Sequence, residues 1–144
     1  MSLTISRDLL ARIWEEAERA YPLECCGILL GDRASSAVES ILPARNIAAV
    51  PERQFEIDPV VLLAVHRAAR DGGPDVIGHY HSHPTGPATP SATDARMAEG
   101  RGEVWLIVGR GGRAGAWQTA AWQAIAASEA GVGFHPLVLI SGSG

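Results

Sequence analysis

The chain has 144 residues, a hydrophobic content of 47% and a formal net charge of -4 from 16 acidic and 12 basic residues. This profile is typical of one globular domain and excludes a disordered chain. The absence of a long basic run disfavours nucleic acid as a partner, and no apolar stretch is long enough to span a membrane. Because the N-terminus also lacks the pattern of a secretory signal, we expect a cytoplasmic protein. We expect a single domain over residues 1–144, with a core at about 5–140 and a flexible tail at 141–144.

The first predicted elements are a helix and two strands. Residues 6–20 place their large apolar side chains on one stripe, which predicts an amphipathic helix with Ser6 as its N-cap. The almost wholly apolar run at 24–31 is typical of a buried strand, and a second strand is predicted at 37–43.

An irregular segment and a second helix follow. Residues 46–56 show no regular period, although Phe55 and Ile57 are candidates for the core. Asp58 followed by Pro59 predicts a helix start, with Asp58 as the N-cap, and we expect this helix to end at about Arg70.

The second half of the chain is predicted to contain more strands than helices. We expect a strand at 75–80 that runs into His81-Ser82-His83-Pro84, a short helix at 91–100, a strand at 103–108, a glycine-rich hairpin turn at 109–115 leading to a strand through Ala116 and Trp117, and a last strand at 134–140. Mixed strands with two or three helices predict an α/β, or mixed α+β, single domain.

The two cysteines, Cys25 and Cys26, are adjacent in the chain. A bridge between neighbouring residues needs a strained geometry, so we expect both thiols to be reduced and structural.

The segment from His81 to Asp94 has the pattern of a metal site. Residues two apart on an extended strand point the same way, so His81 and His83 can direct both imidazoles at one point. Asp94 follows a loop of turn-forming residues and would lie in the first turn of the predicted helix, where it can face back towards the strand end. The sequence therefore predicts one metal ion held by His81, His83 and Asp94.

Three protein ligands leave the fourth tetrahedral position of zinc for water, which is the arrangement of catalytic rather than structural sites. Zinc in such a site activates water and polarises a carbonyl, so amide hydrolysis is a natural reaction. We therefore expect one catalytic Zn²⁺ per chain.

The spacing of these residues resembles that of a known peptidase family. The pattern starts with His-Ser-His-Pro at 81–84, followed after six residues by Ser91 and after two more by Asp94. Together with Glu24, which lies upstream before an apolar strand, it is similar to the motif of the JAMM or MPN-plus metallopeptidases. The order of the surrounding segments resembles the small prokaryotic members of that family over about residues 5–125.

The resemblance implies roles and a substrate class. For the fold, it implies a curved mixed sheet between helices. For the site, it implies that His81, His83 and Asp94 are the zinc ligands. It also implies that Glu24 is the acid/base group that activates water and that Ser91 lies near the developing oxyanion. It further implies an amide bond at the C-terminal tail of a ubiquitin-like or sulfur-carrier protein as the substrate, with such a carrier as the partner.

Other interpretations of the same residues stay open at this level. Ser91 and Asp94 also form the pattern of a helix capping box, which needs no catalysis. His79 shares the strand face of His81 and His83; we favour a role outside the ligand set, although it could be an alternative ligand or line the substrate groove. The alternative function is a non-catalytic MPN-type scaffold that only binds other proteins.

Overall fold

A computed structural model, which describes residues 1–111, 115–128 and 131–142, contains seven strands and three helices in those ranges. In chain order they are β1 (Ser2–Ser6), α1 (Arg7–Ala20), β2 (Cys26–Asp32), β3 (Ala37–Ala44), α2 (Pro59–Arg70), β4 (Asp75–His83), α3 (Ala92–Met97), β5 (Val104–Gly109), β6 (Gln118–Ser128) and β7 (Gly131–Gly142). The strands form one mixed sheet in the order β1-β3-β2-β4-β5-β6-β7, which closes into a barrel. The predicted fold class, a curved mixed sheet flanked by helices, is confirmed. The sequence did not predict that the sheet closes into a barrel.

Helix α1 begins where the sequence predicts. The Ser6 side chain accepts a hydrogen bond from the backbone N–H of Leu9 at 3.2 Å, which satisfies one of the free donors of the first turn. The helix buries Leu10, Ile13 and Ala17 on one face, as expected for an amphipathic helix that covers a sheet.

Strand β1 closes the barrel and is absent from the sequence prediction. It runs parallel to β7 over five residue pairs, from Ser2 with Val138 to Ser6 with Gly142, and it also pairs with β3. The expected tail at 141–144 is therefore wrong for residues 141 and 142, which belong to β7 and extend it beyond the predicted 134–140. Residues 143 and 144 lie outside the described residues.

The two faces of the sheet carry separate cores. One core lies under α1 and β1 and includes the buried side chains of Leu3, Ile5, Ile13, Tyr80 and Leu106. The other lies under α2 and is formed by Cys26, Ile28, Phe55, Ile57, Trp105 and Ala124, so the predicted core positions of Phe55 and Ile57 are confirmed. Helix α2 starts as predicted, because the Asp58 carboxylate accepts from the backbone N–H of Val60 at 2.9 Å.

The segment between β5 and β6 is described only in part. The predicted glycine-rich turn includes residues 112–114, which lie outside the described ranges, and β6 begins at Gln118, after Ala116 and Trp117. Within the described parts of the chain, the helices are all too short or too polar to cross a membrane.

Candidate metal centre

Strand β4 carries two imidazoles at its carboxyl end. It lies between β2 and β5, and His81 pairs with Cys26 on one side and Ile107 on the other. Because strand residues alternate between faces, His81 and His83 both point to the face that α2 covers. His81 is fully buried, and His83 is 9% exposed.

The loop after β4 folds back against the end of β5. A Cβ on Gly109 would lie 2.5 Å from the carbonyl oxygen of Gly86, so only glycine allows this close approach. The indole N–H of Trp122 donates to the carbonyl of Ala88 at 3.0 Å and anchors the middle of the loop. These contacts return the chain to the strand end, where α3 begins.

A capping box orients the carboxylate of Asp94. The hydroxyl oxygen of Ser91 accepts from the backbone N–H of Asp94 at 3.0 Å, and Oδ2 of Asp94 accepts from the backbone N–H of Ser91 at 2.9 Å. The two reciprocal bonds fix the first turn of α3. Asp94 is 3% exposed, so its side chain points inward.

Three electron-pair donors then meet at one point. The two Nε2 atoms of His81 and His83 are 3.1 Å apart, and Oδ2 of Asp94 lies 3.2 Å from the first and 3.1 Å from the second. Tetrahedral zinc with bonds of about 2.0–2.1 Å separates its ligand atoms by about 3.3 Å. The residue types and the size of this triangle therefore fit a zinc ion.

Hydrogen bonds prepare these groups for a cation. The ring of His83 donates from Nδ1 to the carbonyl of Pro87 at 2.8 Å, so Nε2 is the nitrogen that can bind a cation once it has lost its proton. Burial alone would raise the pKa of Asp94, but hydrogen bonds from the two histidines outweigh it and hold that pKa well below the usual range. Burial also lowers the pKa of His81, which keeps this ring neutral and able to ligate.

Glu24 lies beside the triangle, just before β2. One ligand atom from each of Glu24, His81 and His83 lies within 4.8 Å of the other two, so these residues form a second candidate ligand set. The shorter distances from Oδ2 of Asp94 make Asp94 the better third ligand. Burial raises the pKa of Glu24 to about 8 against the opposing charge of His83, and Oε1 is buried without a hydrogen-bond partner.

His79 and the predicted site residues line two different cavities. Glu24, His83 and Ser91 line a cleft of about 250 Å³. His79 lines a different and larger cavity of about 470 Å³, which shares no lining residue with the cleft. The ring of His79 packs edge-on against Trp105 with a centroid distance of 4.3 Å, and its centroid is 6.2 Å from that of His81, so it stands apart from the triangle.

The two cysteines directly follow Glu24 in sequence but do not line the cleft. Both are free and buried, as expected, and burial raises the pKa of each thiol to about 12. They therefore behave as small apolar side chains rather than as nucleophiles or metal ligands.

Three supporting groups are missing from the sequence prediction. They are the Pro87 carbonyl, the indole of Trp122, and Asn46, whose amide donates to the carbonyl of Glu24 at 3.0 Å. A carbonyl acceptor leaves no trace in sequence, and Asn46 stands in a segment without a regular period. The pattern of side chains could not have revealed them.

Comparisons with known proteins show the family to which the chain belongs. Residues 6–125 match the family described as prokaryotic homologs of the JAB domain. The chain is 38% identical over 105 residues to a desampylase of Haloferax volcanii, covering 73% of this chain and 76% of that protein. It is 34% identical over 96 residues to a CysO-cysteine peptidase of Mycobacterium tuberculosis, covering 67% of this chain and 65% of that protein. A solution structure of a Desulfitobacterium hafniense protein has a TM-score of 0.75 and 28% identity, covering 98% of this chain and 94% of that one.

The chain therefore belongs to the prokaryotic JAMM/MPN-plus family. The family, the fold class and the enzyme class of a JAMM-type metallopeptidase, all predicted from the sequence, are confirmed.

Proposed function

We propose that this protein is a zinc-dependent peptidase or isopeptidase that hydrolyses an amide bond at the C-terminal tail of a ubiquitin-like or sulfur-carrier protein. The observation that carries the proposal is the triangle of two imidazole nitrogens and one carboxylate oxygen, 3.1–3.2 Å apart, beside a cleft that Glu24 and Ser91 line.

His81, His83 and Asp94 would hold one zinc ion. Three lone-pair donors this close together, in a site where two of the three residues are almost wholly buried, repel one another unless a cation or a proton lies between them. Three protein ligands also leave one coordination position open. When bound there, zinc supplies Lewis acidity, which polarises a substrate carbonyl and acidifies a water molecule.

Glu24 would carry the proton. A carboxylate oxygen of Glu24 lies within 4.8 Å of a ring nitrogen of each histidine, and the side chain lines the cleft. Its raised pKa of about 8 in the metal-free protein indicates a group that exchanges protons near neutral pH. It would take a proton from water through one carboxylate oxygen and deliver it to the nitrogen of the leaving amine.

Ser91 would stabilise the developing oxyanion. Its hydroxyl oxygen accepts from the backbone N–H of Asp94, so the hydroxyl hydrogen is available for donation. The side chain is exposed at the rim of the cleft, where it can reach a bound carbonyl.

The substrate class rests on family membership and on the named activities of the relatives. One is a desampylase and the other a CysO-cysteine peptidase. On this basis we propose a single small carrier as the substrate rather than a polyubiquitin chain.

The test is a cleavage assay with a ubiquitin-fold carrier that bears a C-terminal extension, read by mass spectrometry of the products. Wild-type protein loaded with zinc is expected to cut at the tail. Glu24→Gln is expected to keep about one zinc per chain and to lose at least about 100-fold in rate, because the proton carrier is removed.

Glu16→Gln is the matched control. Glu16 is also partly buried with a raised pKa, but its carboxylate accepts from the hydroxyl of Tyr80 at 2.8 Å on the other face of the sheet. This variant is expected to cleave at the wild-type rate. Equal cleavage by Glu24→Gln and wild type would refute the role of Glu24. A wild type without zinc or cleavage, unchanged by Asp94→Ala, would favour the non-catalytic scaffold.

A further inference from the structure

The side chain of Asn46 makes four hydrogen bonds to the main chain. It lies in the irregular segment between β3 and α2, where Nδ2 donates to the carbonyls of Glu24 and Gln54 at 3.0 and 2.9 Å. Oδ1 accepts from the backbone N–H groups of Ala48 and Glu56 at 3.0 and 3.1 Å. Two donor hydrogens and two acceptor lone pairs are the full capacity of a primary amide, so this side chain is saturated.

One of these bonds holds Glu24. Glu24 lies two residues before the start of β2, outside the strand ladder, so strand pairing does not fix its peptide groups. Its carbonyl accepts from Asn46, and its N–H donates to the carbonyl of Pro51 at 2.8 Å. The segment that begins at Asn46 therefore holds Glu24 through both of its main-chain polar groups.

The bonds to Gln54 and Glu56 hold the peptide groups on either side of Phe55. The Phe55 ring stacks on the imidazole of His81, with centroids 4.2 Å apart and planes inclined by 20°. Asn46 therefore restrains the aromatic side chain that covers His81 as well as the residue that carries the carboxylate.

We propose that Asn46 is a positioning residue that ties Glu24 to the Phe55 cover of His81, and thereby fixes the Glu24 carboxylate relative to the metal triangle. The inference rests on the proposed function, in which Glu24 transfers the proton. Proton transfer depends steeply on the distance and angle between donor and acceptor, so a loosened Glu24 lowers turnover even when substrate and metal still bind.

A merely structural role gives a different result. If Asn46 only orders the loop, its loss lowers the unfolding temperature and leaves kcat unchanged for each folded, zinc-loaded chain. A positioning role lowers kcat and leaves KM and zinc content unchanged.

Two substitutions test the inference. Asn46→Asp keeps the shape and the acceptors but turns a carboxylate oxygen towards the carbonyls of Glu24 and Gln54, while Asn46→Ala removes all four bonds without adding charge. Asp32→Ala is the matched control, because Asp32 also orders a loop, accepting from the N–H of Ala34 at 3.2 Å and the hydroxyl of Ser35 at 2.7 Å, at the other end of β2.

Cleavage of the extended carrier is measured below the unfolding temperature of each variant, with rates expressed per zinc-loaded chain and zinc counted by mass spectrometry. Both Asn46 variants are expected to lose about 10- to 100-fold in kcat, with KM and zinc content as in wild type and Asp32→Ala unaffected in kcat. Wild-type kcat in both variants, or a loss confined to KM or to zinc content, would overturn the inference. Failure of the wild type itself to cleave the carrier would instead overturn the proposed function.

Discussion

Ser91 has two proposed tasks, and substitutions at this one position can separate them. As an N-cap it orients Asp94, and as a hydroxyl donor it would stabilise the oxyanion. Replacement of a Ser cap by Ala costs about 1 kcal/mol, within a range of about 0.5–2, whereas replacement by Gly costs only a few tenths. Both replacements remove the hydroxyl, while Ser91→Thr keeps the cap and the hydroxyl.

The magnitudes follow from these contacts. If the lost cap loosens Asp94 by about 1 kcal/mol, zinc affinity in Ser91→Ala falls about fivefold, since about 1.4 kcal/mol corresponds to tenfold. Ser91→Gly is expected to stay within about twofold of wild type in zinc affinity, because its cap cost is small. Both variants are expected to lose about 100- to 1000-fold in kcat, the usual effect of removing one oxyanion donor.

Chelator competition measures the zinc affinity, urea unfolding measures the stability, and cleavage of the extended carrier at saturating zinc measures kcat. Ser91→Thr is expected to resemble wild type in all three. A wild-type kcat in Ser91→Gly would refute the oxyanion role and leave Ser91 as a cap. Unchanged zinc affinity and stability in Ser91→Ala would refute the link between the cap and the Asp94 ligand.

Gly27→Ala is expected to lower the free energy of unfolding by about 1–3 kcal/mol, because the added Cβ would overlap the buried ring of Tyr80. Urea unfolding measures the loss. Gly111→Ala is the control and is expected to be close to neutral, because its added Cβ would lie in open space. Removal of zinc by a chelator is expected to lower the unfolding temperature, and added zinc to restore it, since a ligand that binds only the folded state stabilises it; calorimetry with no shift would contradict the metal site. Zinc affinity is expected to fall as the pH drops below about 7. In the metal-free protein burial lowers the pKa of His83, but the hydrogen bonds to Asp94 and Pro87 outweigh it and raise that pKa above its ordinary value, so zinc must displace a proton there. A competition assay that gives the same affinity at each pH would contradict this.

Local patterns made several structural features predictable. The helix starts at Ser6 and Asp58 follow from capping side chains that bond to backbone N–H groups two or three residues away. The shared face of His81 and His83 follows from strand alternation alone. The placement of Asp94 beside them needed a short loop and one capping box, both visible in the residues between 84 and 94.

Features that depend on distant parts of the chain could not be predicted in this way. Strand β1 is only five residues long, and its main partner β7 lies at the opposite end of the sequence. Arg110 falls in a stretch predicted as a glycine-rich turn, yet its guanidinium is buried over the ring of Trp117 at 4.1 Å and pairs with Glu18 at 2.7 Å. Such contacts join residues that only the folded barrel brings together.

The sequence by itself determined the donor set His81, His83 and Asp94 as a candidate zinc site, because ligand chemistry and short-range spacing are properties of the local chain. The tertiary structure decided how those donors are surrounded. Asn46 holds Glu24 beside the histidines, and the ring of Phe55 covers His81. The raised pKa of the Glu24 carboxyl is likewise a tertiary property, since it depends on burial by residues that are remote in sequence.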